Sequence, residues 1–211
     1  MAIRQVFWDW NGTLLDDLAY AVDVRNRVFP RFGLPPIDSL ERYYEQFTFP
    51  VRLYYERAGV TDANFTAVAN AWMDEYVRGF DSLSLREGAL EALKRLHARG
   101  IRQVVLSASK RELLGDQLSR FPIAHYFDTY LGLGDIYAGS KEEIGLTYLR
   151  SCGISPQESL MIGDTLHDAE VARAMGVACV LVSGGHQSRE TLLSTGLTVV
   201  DSLMEAAQAA G

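Results

Sequence analysis

The sequence predicts an α/β chain, a doubly wound parallel sheet with an all-helical segment inserted after its first strand. Three observations carry this. Four short runs, at residues 5–8, 102–106, 159–162 and 178–182, are mostly unalternated and rich in Val, Ile and Leu. That is the pattern of strands buried on both faces, as in a parallel sheet. Helical periodicity fills most of the intervals between them, and strand–helix alternation builds a sheet with helices on both sides. The interval 16–81 departs from this rhythm, with amphipathic stretches and no convincing strand.

Taken in order, the run 5–8 leads directly into Asp9-Trp10-Asn11-Gly12-Thr13. Amphipathic stretches at 18–29, 40–47, 51–58 and 64–80 follow, separated by loop signals at Gly33-Leu34-Pro35-Pro36, Phe49-Pro50 and 59–62. A core domain is therefore expected at 1–15 and 82–211, with a helical cap at 16–81. Its aromatic residues (Tyr43, Tyr44, Phe47, Phe49, Tyr54, Tyr55) read first as cap core. Residues 87–99 place Leu90, Leu93 and Leu96 on one face and stop at Gly100, a residue suited to closing a helix. Further helices are expected at 111–120, 141–151, 166–175 and 202–209, with weaker strands at 129–131 and 197–200. Gly132-Leu133-Gly134 lacks the third glycine of a dinucleotide loop and reads as a turn.

Composition narrows the function. The 211 residues are 48% hydrophobic and 22% charged, an ordinary globular balance with enough apolar residues for a sizeable core. A net charge of −7 with no basic run argues against nucleic-acid or membrane-surface binding. No stretch approaches the roughly 18 apolar residues of a spanning helix. Arg4 and Gln5 precede a core strand directly, without a secretory pattern, and only two cysteines are present (Cys152, Cys179), so a reducing cytoplasm is expected. The four histidines are scattered and give a zinc cluster no support.

In open α/β sheets, ligands bind beyond the carboxyl ends of the strands. There the sequence places Asp9, then Ser107-Ala108-Ser109, then Ser140-Lys141 at a helix start, then Asp164 to Asp168. Asp164 and Asp168, four apart, share a helix face. Clustered carboxylates repel unless a cation sits among them, and a hard oxygen-ligated ion such as Mg²⁺ suits them. Ser107 and Lys141 suit a bound phosphate. The set reads as phosphoryl transfer to an aspartate. Taken singly, each residue also has a plainer use. Asp9, Ser107 and Asp164 could cap helices or form turns, and Lys141 could be a solvated first-turn residue.

With these residues in view, the chain resembles the haloacid dehalogenase superfamily, in the phosphoglycolate phosphatase-like and β-phosphoglucomutase-like branch. DWNGTL resembles motif I, VVLSAS motif II, Lys141 motif III and MIGDTLHDAEVARAMG motif IV. The resemblance implies a Rossmann-like core with a mobile helical cap and a Mg²⁺-dependent phosphatase acting on a small phosphorylated metabolite, as a monomer or homodimer. It implies Asp9 as nucleophile and metal ligand, with the backbone carbonyl of Asn11 and Asp164 as further ligands. Asp168 would ligate the ion or orient its waters. Ser107 and the Ala108 amide would hold phosphate, and Lys141 would neutralise charge. Arg52, at the cap helix start after Phe49-Pro50-Val51, is the cap residue expected to read the substrate; the plainer reading is a surface arginine.

One position departs from the pattern. In the family's phosphatases the second Asp of motif I is the general acid and base, and here it is Asn11. An amide can neither protonate a leaving alkoxide nor deprotonate water. Another residue or a water could substitute, the branch could need no acid there, the site could be impaired, or the leaving group could need no proton. A phospho-ligand binding protein and a dehalogenase-type hydrolase are the alternative readings; the resemblance sets the latter second, because haloacid dehalogenases carry an aromatic residue at the Asn11 position and Ser107 and Lys141 suit phosphate. DWNGT is one letter from the DWAGT-type motif of phosphonoacetaldehyde hydrolases. Their cap lysine is missing here, because the only lysines are Lys94, Lys110 and Lys141.

Overall fold

A computed structural model describes residues 2–134 and 140–211. The chain divides into two compact units, one made of Met1–Asp16 and Leu85–Gly211, the other of Asp17–Ser84.

The first unit is built on a six-stranded sheet. Its strands are β1 (Gln5–Trp8), β4 (Arg102–Lys110), β5 (Thr129–Leu133), β6 (Ser159–Gly163), β7 (Ala178–Val182) and β8 (Thr198–Val200), in the order β5-β4-β1-β6-β7-β8. Every neighbouring pair is parallel. Two-residue strands β2 (Leu15–Asp16) and β3 (Ser84–Leu85) form a separate ribbon. Helices α5 (Ala89–Ala98), α6 (Arg111–Ser119), α7 (Lys141–Cys152), α8 (Leu166–Met175), α9 (Arg189–Leu193) and α10 (Leu203–Gln208) alternate with the strands. The central strand β1 is fully buried, as its unalternated run requires. Its Trp8 indole N–H donates to the buried Gln103 side chain at 3.0 Å, which removes a polar cost inside the core. One layer of that core packs Phe7, Val104, Leu106, Met161, Val171 and Met175 together.

Two expectations are corrected here. β4 does not end at 106 but runs on to Lys110, carrying Ser107, Ala108 and Ser109 within the strand; its register against β5 shifts between Leu106 and Lys110. Gly132-Leu133 is not a turn but the end of β5, and only Gly134 turns. A Cβ on Gly132 would stand 2.8 Å from Arg111 Cα and from the Ser109 carbonyl oxygen, so this glycine permits close backbone approach rather than a turn.

The second unit contains α1 (Leu18–Val28), α2 (Leu40–Gln46), α3 (Val51–Arg57) and α4 (Phe65–Arg78). Tyr43, Tyr54 and Tyr55 are buried, as expected of cap core, and Tyr43 stacks on Phe47 with centroids 5.3 Å apart. Arg25, 1% exposed, donates to the Pro35 carbonyl at 3.2 Å and to Gln46 Oε1 at 3.0 Å, and lies over the Phe29 ring. Among the described residues, no helix is long and apolar enough to cross a membrane.

Leu106 is wholly buried in this core layer. Leu106→Ala is expected to cost about 2–5 kcal/mol of stability. A urea unfolding midpoint unchanged from the parent would contradict this packing.

Candidate active site

The sheet order places β1 between β4 and β6, so the residues after these strands meet at one edge. Asp9 follows β1, and its N–H donates to the Ile162 carbonyl at 2.9 Å. Asp164 follows β6. At the start of α8, Thr165 and Asp168 form a reciprocal cap. Asp168 Oδ2 accepts from the Thr165 hydroxyl at 2.7 Å, from the Thr165 N–H at 3.0 Å and from the Asp164 N–H at 3.2 Å. Lys141 opens α7, where the Ser140 hydroxyl accepts from the Glu143 N–H. Lys141 is not a solvated first-turn residue. It is 3% exposed, and its ammonium donates to Asp9 Oδ1 at 2.5 Å and to Asp168 Oδ1 at 2.6 Å.

Asp164 is completely buried. The Thr13 hydroxyl donates to its Oδ1 at 2.6 Å and the His186 backbone N–H to its Oδ2 at 2.6 Å. The backbone closes tightly on this carboxylate. A Cβ on Gly12 (φ 72°) would lie 2.4 Å from Asp164 Oδ2, and one on Gly185 would lie 2.2 Å from it. No larger residue fits either place without moving the acid.

Carboxylate oxygens of Asp9, Asp164 and Asp168 all lie within 4.8 Å of one another. Burial, followed by the neighbouring acids, holds the Asp9 carboxyl well above its ordinary range, although Lys141 pulls it down. Burial likewise raises Asp164. Burial also acts against Asp168, but the Lys141 charge and the hydrogen bonds from Lys141 and Thr165 outweigh it, and this carboxyl lies below its ordinary range. Lys141 is held above its ordinary value because its two carboxylate partners outweigh burial. Three carboxylates thus cluster in a buried site, two of them paired with one ammonium, and their oxygens form a donor set that fits a hard divalent cation.

On the β4 side, Ser107 is buried and its hydroxyl accepts from the Ser109 N–H at 3.1 Å, while Ala108 is half-buried beside it. The Ser109 hydroxyl donates to Asn11 Oδ1 at 3.1 Å, which ties the unusual asparagine to the second strand of the site. Arg52 lies in the helical unit, where it pairs with Glu56 at 3.2 Å and with Asp62 and lies over the Phe65 ring.

Sequence reasoning missed the loop after β7. Besides the His186 contact, Gln187 Oε1 accepts from the Leu166 N–H at 2.6 Å and so satisfies the start of α8. Arg86, just after β3, donates to the carbonyls of Gly12 and Ser183, both at 2.7 Å. The only advance signal was Gly184-Gly185 one residue beyond a strand.

The family model for haloacid dehalogenase-like hydrolases matches residues 6–182, a span that contains Asp9, Asn11, Ser107, Lys141, Asp164 and Asp168. The chain belongs to that family. It is 28% identical to a phosphoglycolate phosphatase of Pseudomonas putida over 87% of this chain and 70% of the relative. It is 26% identical to a phosphoglycolate phosphatase of Synechococcus elongatus over 91% of this chain and 89% of the relative. Its fold is that of a haloacid dehalogenase-like hydrolase from Streptococcus pneumoniae, with a TM-score of 0.86, 18% identity and 98% of both chains covered.

Removing the buried ammonium leaves its acids uncompensated. Lys141→Met is expected to lose about 3–5 kcal/mol at pH 7 in metal-free buffer. A carboxyl with a raised folded pKa destabilises progressively as pH climbs from the ordinary aspartate range through that raised value; one with a depressed pKa stabilises above its unfolded value. Without Lys141, Asp168 loses its depression and Asp9 rises further, so the variant should recover part of its loss between about pH 7 and 5. Urea unfolding at both pH values checks this, and a loss that stays constant or grows on acidification would contradict it.

Proposed function

We propose that the chain is a Mg²⁺-dependent phosphatase of small phosphate monoesters, working through an aspartyl-phosphate on Asp9. The observation that carries the reading is Asp9 itself, a buried carboxylate at the tip of the central strand, held by Lys141 and backed by Asp164 and Asp168. Asp9, Asp164, Asp168 and the backbone carbonyl of Asn11 would hold the ion. When bound, it supplies positive charge against the phosphate oxygens and the ionised carboxylates. A carboxylate oxygen of Asp9 attacks phosphorus, the new O–P bond forms, and the ester P–O bond breaks to release the alcohol oxygen. Water then attacks the aspartyl-phosphate, releasing inorganic phosphate and restoring the carboxylate. Ser107 and the Ala108 amide would hold phosphate oxygens, and the Lys141 charge opposes the burial that raises the Asp9 carboxyl. The relatives named phosphoglycolate phosphatase make phosphoglycolate the first alkyl ester to assay.

Asp9→Asn keeps the side-chain volume without the nucleophile. Turnover is expected to vanish while far-ultraviolet circular dichroism stays that of the parent. Retained turnover by a folded Asp9→Asn protein would remove this mechanism.

Asn11 favours a second reading, a phospho-ligand protein that turns over slowly. Two expectations separate the readings. With an amide at residue 11, held by Ser109, the parent should cleave aryl or acyl phosphates much better than alkyl phosphates, because nitrophenolate leaves without a proton and glycolate does not. Asn11→Asp should raise alkyl ester kcat/KM by at least tenfold, within the roughly 10² to 10⁴ that general acid–base help supplies, and change nitrophenyl phosphate less. A leaving-group dependence that is flat in the parent, with Asn11→Asp neutral or harmful, would mean that another group already moves the proton.

A further inference from the structure

Arg86 holds together the two loops that grip Asp164. Its backbone N–H donates to the Leu14 carbonyl at 2.9 Å. One guanidinium nitrogen donates to the Gly12 carbonyl and another to the Ser183 carbonyl, each at 2.7 Å. Gly12 precedes Thr13, whose hydroxyl fixes Asp164 Oδ1; Ser183 begins the loop to His186, whose N–H fixes Asp164 Oδ2. Both oxygens of one wholly buried acid are therefore placed by segments that a single side chain ties to each other. Gly184 (φ 83°) makes room for it, since a Cβ there would lie 3.0 Å from the Arg86 guanidinium. These loops are also anchored independently of Arg86. Ser183 N–H donates to Val200 at 2.9 Å, and Leu14 and Leu15 N–H to the Trp10 carbonyl at 3.0 and 2.9 Å. What remains for Arg86 is the spacing between the loops. A planar guanidinium, with donors diverging in a fixed fork, sets that spacing as a lysine ammonium cannot.

We infer that Arg86 is a positioning residue for the acidic cluster. By fixing the gap between the Gly12 and Ser183 loops it fixes the Asp164 carboxylate, and through it the affinity of the cluster for a divalent cation. The cation clause rests on the reading in the preceding subsection; the clamp itself does not. Groups that orient metal ligands are typically worth about 10- to 100-fold in metal affinity.

The test compares the parent with Arg86→Ala and Arg86→Lys, the latter keeping one donor nitrogen and the positive charge should the alanine variant fail to fold. Amide hydrogen exchange at residues 183–187 is measured on metal-free protein, and Mg²⁺ binding by titration calorimetry. Both variants should exchange the His186 amide faster and bind Mg²⁺ at least tenfold more weakly, with Arg86→Lys the milder. The Mg²⁺ concentration for half-maximal turnover should rise while kcat at saturating Mg²⁺ falls less. Methylguanidinium added to Arg86→Ala should restore part of both effects. Parent-like exchange at His186 overturns the clamp. Faster exchange with parent-like Mg²⁺ affinity overturns its link to the cation. A parent protein that binds no Mg²⁺ would instead end the metal reading, leaving the clamp to be decided by exchange alone.

Discussion

The structure turns on one buried ammonium among three buried carboxylates. Lys141 bonds to Asp9 and Asp168, and Asp164 stands within reach of both acids. Isolated charges at such depth would cost several kcal/mol each, so the site exists only if every member is paired and hydrogen-bonded at once. That requirement recruits the tip of β1, the end of β6 and the first turns of α7 and α8. Each contributes one group, and none of those groups is stable there alone.

The sheet topology meets this requirement cheaply. With β1 central and all strands parallel, the segments after β1, β4 and β6 share one edge without any long loop having to reach across. Helix starts complete it. Asp168 accepts from the Asp164 and Thr165 N–H groups just before its own helix with one oxygen and holds Lys141 with the other. Capping and charge compensation are thus one arrangement, which accounts for a carboxylate staying ionised while its neighbours are pushed toward protonation.

Asn11 stands at the same edge under a different constraint. Its side-chain oxygen accepts from the Ser109 hydroxyl on β4. The family's carboxylate at this place would add a fourth acid to a pocket with one ammonium. On the proposed function, an amide here adds no further charge beside the acids and supplies no proton to a leaving group.

Most elements were legible in the sequence because their signal is local. The runs 5–8 and 178–182 coincide with β1 and β7, and 166–175 with α8, since unbroken apolar runs and a Thr–Asp cap leave few alternatives. The end of β4 was placed at 106 because the apolar run stops there; the strand continues through Ser107, Ala108 and Ser109, and its pairing with β5 resumes at Lys110 after a shift in register. Helix α9, five residues long, gave too short a period to detect. Asp9, Ser107, Lys141, Asp164 and Asp168 could be nominated because strand tips and helix starts follow from local pattern. Whether Lys141 was solvated or buried, and that Thr13, His186 and Arg86 set Asp164, depended on residues far apart in the chain. Thr13 and Asp164 are separated by 151 positions, and Arg86 and Ser183 by 97. Local pattern determines which atoms arrive at the sheet edge. Only packing decides which of them touch, because hydrogen bonds between distant loops leave no periodic trace in sequence.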